Sequence, residues 1–210
     1  MEKPAENAHP IEELLRQRWS PRAFSDRPVE PEKLASMFEA ARWSASCFNE
    51  QPWSFIVATR DDAFEFARLL SCLVEGNQAW ASHAPVLMVS VARLNFTRVF
   101  VPEGKAVDTR RMTERGNPNR HAIHDVGLAT AQMILQALAM GVFVHPMAGF
   151  YPDKVRELYS VPEGYEPVAA IAAGYPGNPA DLPESLRQRE LAPRVRKPQE
   201  EFVLRGRFSA

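Results

Sequence analysis

A chain of 210 residues, with hydrophobic residues at 45% and charged residues at 24%, matches one ordinary globular domain over residues 1–210, able to bury roughly 70% of its unfolded surface. Its net charge of -1 provides no field to draw in nucleic acid or an anionic membrane, and no apolar run approaches the roughly 20 residues of a membrane span. Two cysteines, Cys47 and Cys72, are too few for a disulfide framework; with a polar N-terminus lacking an apolar signal core, they point to a cytoplasmic protein.

Residues 11–18 read as a short helix ending at a basic cluster. Residues 31–43 predict a second, with Pro31 at its first position and Leu34, Met37, Phe38 and Ala41 on one face. Residues 53–59, rich in aromatic and β-branched side chains, predict a strand. Asp61 and Asp62 can open a helix running to about residue 74. Residues 85–92 are a continuous apolar strand, which implies burial on both faces. Residues 94–118 are irregular and mixed in charge, the kind of long connection that serves as a lid or binding loop. Residues 121–140 form the longest predicted helix, closed by Gly141. Val126, Met133, Leu135 and other apolar residues cover nearly its whole circumference, so it is buried all round, either inside the fold or against a second subunit. A strand over 142–147, a short helix over 153–159 and a strand over 168–173 follow. From residue 175 the chain is Pro-rich and basic, and reads as an extended tail.

Four clusters carry chemistry. Arg18, Ser20 and Arg22 stand at i, i+2, i+4, on one face of an extended segment, where two guanidinium forks and a hydroxyl suit a phosphate. The same spacing also suits a solvated helix end. Asn49 and Gln51 alternate in the same way, and each amide offers a donor and an acceptor, as the polar edge of a flat ring requires; turn chemistry is the alternative. His145, Pro146, Met147, Ala148 and Gly149 leave a strand, and Gly149 permits close backbone approach to a planar ring. Arg194 and Arg196 alternate in the tail and can face one anion. A ligand that wants both a phosphate grip and a ring edge is nucleotide-like, and flavin mononucleotide (FMN) fits best.

Taken together, the clusters resemble the nitroreductase family of flavin enzymes. The opening pattern Arg-x-Ser-x-Arg-x-Phe is met by Arg18, Ser20, Arg22 and Phe24. The second, Asn-x-Gln-Pro-Trp preceded by small residues, is met by Ala45, Ser46, Cys47, Asn49, Gln51, Pro52 and Trp53. Gly76-Asn77-Gln78-Ala79-Trp80 and Asp125-Val126-Gly127-Leu128-Ala129 add to the match. The resemblance implies an α+β, nitroreductase-like fold: a mostly antiparallel central sheet flanked by helices, in an intertwined homodimer whose 175–210 tail packs on the partner. It implies tightly bound, non-covalent FMN and NADH or NADPH as transient hydride donor. Arg18, Trp19, Ser20, Arg22, Arg194 and Arg196 would lie at the phosphate and ribityl chain, and Asn49 and Gln51 at the ribityl chain and ring. Ala45, Ser46 and Cys47 would reach the same flavin from the other subunit, and Pro146, Met147, Ala148 and Gly149 would pass over one ring face. Many members carry Glu where this chain has Ala148, and Cys47 and Phe48 stand in place of smaller hydroxyl residues. Hydride would pass through the flavin to a nitroaromatic, quinone or similar small acceptor.

No protein nucleophile is required, so no catalytic residue is assigned; the cofactor carries the chemistry. Cys47 has no identifiable base partner. His121, His124 and Asp125 lack a convincing further metal ligand, so no metal is expected. Trp43, Trp53 and Trp80 read as core anchors. A flavin store or redox sensor that does not turn over, and a specialised reaction such as reductive dehalogenation, stay open as other readings.

Overall fold

A computed structural model of the protein describes residues 2–97 and 118–208. Within them, β1 (Trp53–Thr59), β2 (Val86–Arg93), β3 (Phe143–Met147) and β4 (Tyr165–Gly174) form one sheet in the order β1-β2-β4-β3, antiparallel at every pairing. The expected α+β class and antiparallel sheet are both present. A bulge between Ser90 and Val91 shifts the β2–β4 register by one residue.

Period-two alternation along β2 sorts its apolar run into two cores. Leu87, Val89 and Val91 meet Phe66 and Leu69 of α3 (Ala63–Leu70), Trp80 of α4 (Glu75–Ala81) and Val155 of α6 (Pro152–Tyr159). Val86 and Met88 face the other way, toward Met37 and Ala41 of α2 (Pro31–Arg42) and Met133 and Ala137 of α5 (Ala122–Ala139). β2 is therefore buried on both faces although its neighbours are antiparallel: helices cover both sides, which the sequence pattern alone cannot distinguish from a parallel sheet. Each large side chain so enclosed contributes roughly 1.5–3 kcal/mol.

α5 ends as its sequence demands. Gly141 takes φ +76°, its N–H reaches Leu138 O at 2.9 Å, and Val142 N–H reaches Ala137 O at 2.9 Å, a Schellman closure. The helix is not enclosed all round within one chain, however: Ile123 is 52% exposed and Leu128 37%.

Three expectations are corrected. The helix predicted to run from Asp61 to about residue 74 stops early: α3 ends at Leu70, and a separate helix, α4, begins at Glu75. Asp62 caps α3 by accepting the Glu65 N–H at 3.0 Å. The break follows because Cys72 O and Val74 N bond to Tyr151 N and Gly149 O, so backbone groups a continuing helix would use are spent on tertiary contacts. The tail is not wholly extended: α7 (Glu184–Leu191) lies within it. Trp43 is no core anchor; it is 72% exposed at the end of α2, its indole N–H donating to Glu39. The predicted lid or binding loop falls mostly on residues 98–117, outside the described residues.

Candidate functional site

After α1 (Glu13–Gln17) the chain passes the β3 edge extended, with Trp19 edge-on to Phe143 at 5.9 Å and Phe24 bridged to Pro176. This segment and the tail bring Lys3, Arg18, Arg22, Arg194 and Arg196 together. One buried acid, Glu190 of α7, answers them. Its carboxylate accepts the N–H groups of Arg22 at 2.9 Å and Ala23 at 3.2 Å and lies 3.8 Å from the Arg22 guanidinium. Carbonyls satisfy others: Lys3 Nζ donates to Glu190 O at 2.5 Å and Ala192 O at 2.6 Å, and Arg194 donates to Lys3 O at 2.8 Å and Arg16 O at 2.9 Å.

Arg18 is left differently. It donates to Ser20 Oγ at 3.2 Å, and no carboxylate pairs with it among the described residues. Burial, then the charges of Arg194 and Arg196, hold its guanidinium below its ordinary value. A half-buried cation pressed by like charges is costly unless an anion arrives. Arg196, exposed, donates only to Val195 O at 2.7 Å among the described residues.

His145 ties this arch to β3. Its Nδ1 lies 2.7 Å from Pro21 O; a carbonyl only accepts, so Nδ1 carries the proton. The ring stacks on Trp80 at 4.6 Å. Burial, then the charges of Arg22 and Arg18, push its pKa down to about 4, so it is neutral near pH 7.

Beyond His145, Pro146 is partly buried, Met147 turns into the core and Ala148 is exposed. A Cβ at Gly149 would stand 2.5 Å from Asn77 Nδ2 and 2.9 Å from Val74 Cγ2. Asn77 Nδ2 donates to Gly149 O at 2.9 Å and Trp80 Nε1 to Asn77 Oδ1 at 3.3 Å. The close approach that requires glycine here is thus with the start of α4. Trp19, like Met147, buries its side chain, so each has backbone rather than side chain to offer a ligand.

The segment from Ala45 to Gln51 is built differently. Phe48, Asn49 and Gln51 take φ of 53°, 57° and 48°. Asn tolerates this region, whereas Phe and Gln pay about 1–3 kcal/mol each for it. Two buried carboxylates hold the strain. Asp125 of α5 accepts the Cys47 N–H at 2.9 Å. Glu50 accepts from Thr97 N at 2.8 Å and Arg93 at 3.2 Å, and these bonds outweigh burial to keep its pKa below the carboxylate range. Ser46 Oγ accepts the Gln51 N–H at 3.0 Å, and Gln51 Nε2 donates to Asn49 Oδ1 at 3.2 Å. Ala45, Asn49 and Gln51 are exposed; Ser46 and Cys47 are partly buried.

The two sets do not meet within one chain. Trp53, directly after the strained segment, pairs with Ala92 at the level of Glu166, whereas Trp19 packs on Phe143, which pairs with Gly174 on the opposite edge. From Glu166 to Gly174 is roughly 26 Å of strand, and β1 to β3 roughly 14 Å of sheet, so the corners stand about 30 Å apart. Arg18, Ser20, Arg22, Arg194 and Arg196 gather at the Phe143 corner, and Ala45, Ser46, Cys47, Asn49 and Gln51 gather at the other; the β3 exit lies on the same edge as the first set, but Met147 pairs with Ala170, roughly 13 Å of strand from Gly174.

Sequence reasoning missed the residues that brace these sets. Glu190 carries no local signal, standing 168 positions from Arg22. Glu50 was no easier to find: Phe48, Asn49 and Gln51 take positive φ, so the segment is not a strand and no period-two alternation sorts its side chains.

The nitroreductase family model matches residues 15–175. A Stenotrophomonas maltophilia protein provisionally named NADH dehydrogenase/NAD(P)H nitroreductase is 29% identical, over 84% of this chain and 89% of its own. A solved structure described as an oxidoreductase containing FMN is 30% identical and superposes with a TM-score of 0.85 over 97% of this chain and 96% of that one. A nitroreductase family protein of Clostridium difficile 630 gives 0.67 at 25% identity, over 93% and 97%.

Proposed function

The chain belongs to the nitroreductase family, and from that premise we propose that it is a cytoplasmic, FMN-dependent oxidoreductase, working as a homodimer, that takes hydride from NADH or NADPH and passes it to a nitroaromatic, quinone or similar small acceptor. The observation that carries the cofactor reading is Arg18: half-buried, crowded by Arg194 and Arg196, hydrogen-bonded to Ser20 and without an acid partner among the described residues. Such a group fits a phosphate, which would accept from the guanidinium fork and the Ser20 hydroxyl. The donor set therefore suits the phosphorylated end of FMN, and the 96%-covered neighbour described as containing FMN supports the same choice.

When bound, the flavin supplies two-electron chemistry. This chain's residues supply the grip and the shape. Arg18, Ser20, Arg22, Arg194 and Arg196 would hold the phosphate and ribityl chain, with Glu190 keeping the Arg22 backbone in place. Backbone at Trp19, Pro146, Met147, Ala148 and Gly149 would border the ring on the same subunit. Neutral His145 would brace the two. Asn49 and Gln51, with Ala45, Ser46 and Cys47, would come from the partner, since about 30 Å separates the two corners in one chain. The exposed Ile123 and Leu128 of α5, and the exposed Trp43, provide apolar surface for that pairing. The 175–210 tail, with Phe202 63% exposed, would lie against the partner.

Colour tests this reading. Purified protein should be yellow and should bleach anaerobically on addition of NADH or NADPH, with colour returning when a quinone is added. A yellow protein that stays oxidised with both nicotinamides would indicate a flavin store or sensor instead, and a colourless protein that takes up no added FMN would end the flavin reading.

A further inference from the structure

We infer that Lys3 is a positioning residue for the flavin phosphate: it straps the N-terminal segment across the end of α7 and so sets Arg194 beside Arg18. This rests on the FMN reading proposed above, and it concerns residues outside the 15–175 span that the family model matches. Three observations carry it. The first is a reciprocal tie. Lys3 Nζ donates to Glu190 O at 2.5 Å and Ala192 O at 2.6 Å, at the C-terminal end of α7, and Arg194 Nη1 donates back to Lys3 O at 2.8 Å. A lysine suits carbonyls that a helix end leaves without intrahelical partners. The segment is fixed at a second point, where Ala5 N–H reaches Arg16 O at 2.7 Å; the same carbonyl accepts Arg194 Nη1 at 2.9 Å.

The second is what else holds Arg194. Residues 193–197 belong to no helix or strand and make no backbone–backbone hydrogen bond among the described residues. The side-chain bonds to Lys3 O and Arg16 O are therefore what fix this part of the tail. Both bonds run from Nη1, and Nε and Nη2 meet no hydrogen-bond acceptor among the described residues. A guanidinium anchored at one end offers its remaining donors in a fixed direction, so an anion that binds them loses less in ordering the fork. The charge of Arg194 bears on Arg18, which places those donors beside the half-buried cation that lacks an acid. The third is cost. Burial, partly offset by Glu190, and the charges of Arg194 and Arg22 hold the Lys3 amine below its ordinary value. A further cation among arginines repels them, and the strap closes because the carbonyls of α7 take the lysine's protons.

The test titrates apo-protein with FMN and with riboflavin, which shares the ring and ribityl chain but has no phosphate, and follows flavin fluorescence for parent, Lys3→Met and Lys3→Arg. Lys3→Met is expected to weaken FMN binding by about fivefold or more and riboflavin binding by less than about twofold, and Lys3→Arg, which still offers donors to both carbonyls, to recover most of the loss. A purely structural role would weaken both flavins together. Unchanged FMN affinity in Lys3→Met, equal losses for the two flavins, or no recovery in Lys3→Arg would overturn the assignment while leaving the FMN reading intact. If Lys3→Met does not fold, Ala5→Pro takes its place: it removes the N–H that ties the segment to Arg16 O and leaves every charge in position. It should weaken FMN by about threefold or more with riboflavin unchanged, and an FMN affinity equal to the parent's would overturn the strap. A parent protein that binds neither flavin would overturn the FMN reading and this one with it.

Discussion

Arg18 and His145 show how much a single side chain can be asked to do. Arg18 meets burial and like charge at once, and what relieves both is an anion. Arg18→Ala should therefore weaken FMN binding more than tenfold, read by titrating flavin fluorescence into apo-protein; an unchanged affinity would remove it from the site. His145 yields a pH prediction. Its pKa falls from 6.5 to about 4 on folding, so the unfolded chain takes its proton first. Stability from this group is whole above pH 6.5 and declines as pH drops toward 4, by up to about 3 kcal/mol. Urea unfolding at pH 7, 5.5 and 4 should show a smaller decline in His145→Asn, which has no such proton to take up; equal declines in both chains would assign the acid sensitivity elsewhere. The sequence gave His145 no task, because its partners Pro21 and Trp80 are distant in the chain.

Secondary-structure elements were legible wherever local chemistry decided them. Pro31 opens α2, Gly141 closes α5, and the apolar run of β2 is enclosed as its composition implies. Legibility failed where a tertiary contact outbid a local one. The stretch after Leu70 leaves the helix because its backbone groups bond across to Gly149 and Tyr151, and nothing in that stretch announces partners some 75 residues away. The same contact explains why residue 149 is glycine. Gly149→Ala would drive a methyl against Val74 and Asn77, and Asn77 cannot swing aside without losing its bond to Gly149 O. The expected cost is about 1–3 kcal/mol, or a fall of several degrees in Tm. An unshifted melting curve would mean that α4 yields freely at this point.

Across the whole molecule, the sequence named candidate members of the site but could not give their separation. Spacing can show that Arg18, Ser20 and Arg22 share a face and that Asn49 and Gln51 share another; it cannot show that the strand order puts the two faces at opposite corners of a sheet. The register makes that plain and turns two half-sites into an argument for two chains. The most direct test is complementation. Arg18→Ala and Gln51→Ala each spoil one half-site, so each homodimer should hold FMN weakly. A heterodimer of the two, isolated through different affinity tags, pairs the intact basic corner of one chain with the intact amide corner of the other. It should regain one tightly bound FMN per dimer. If the heterodimer binds no better than either variant alone, both half-sites belong to the same chain and the composite site is wrong.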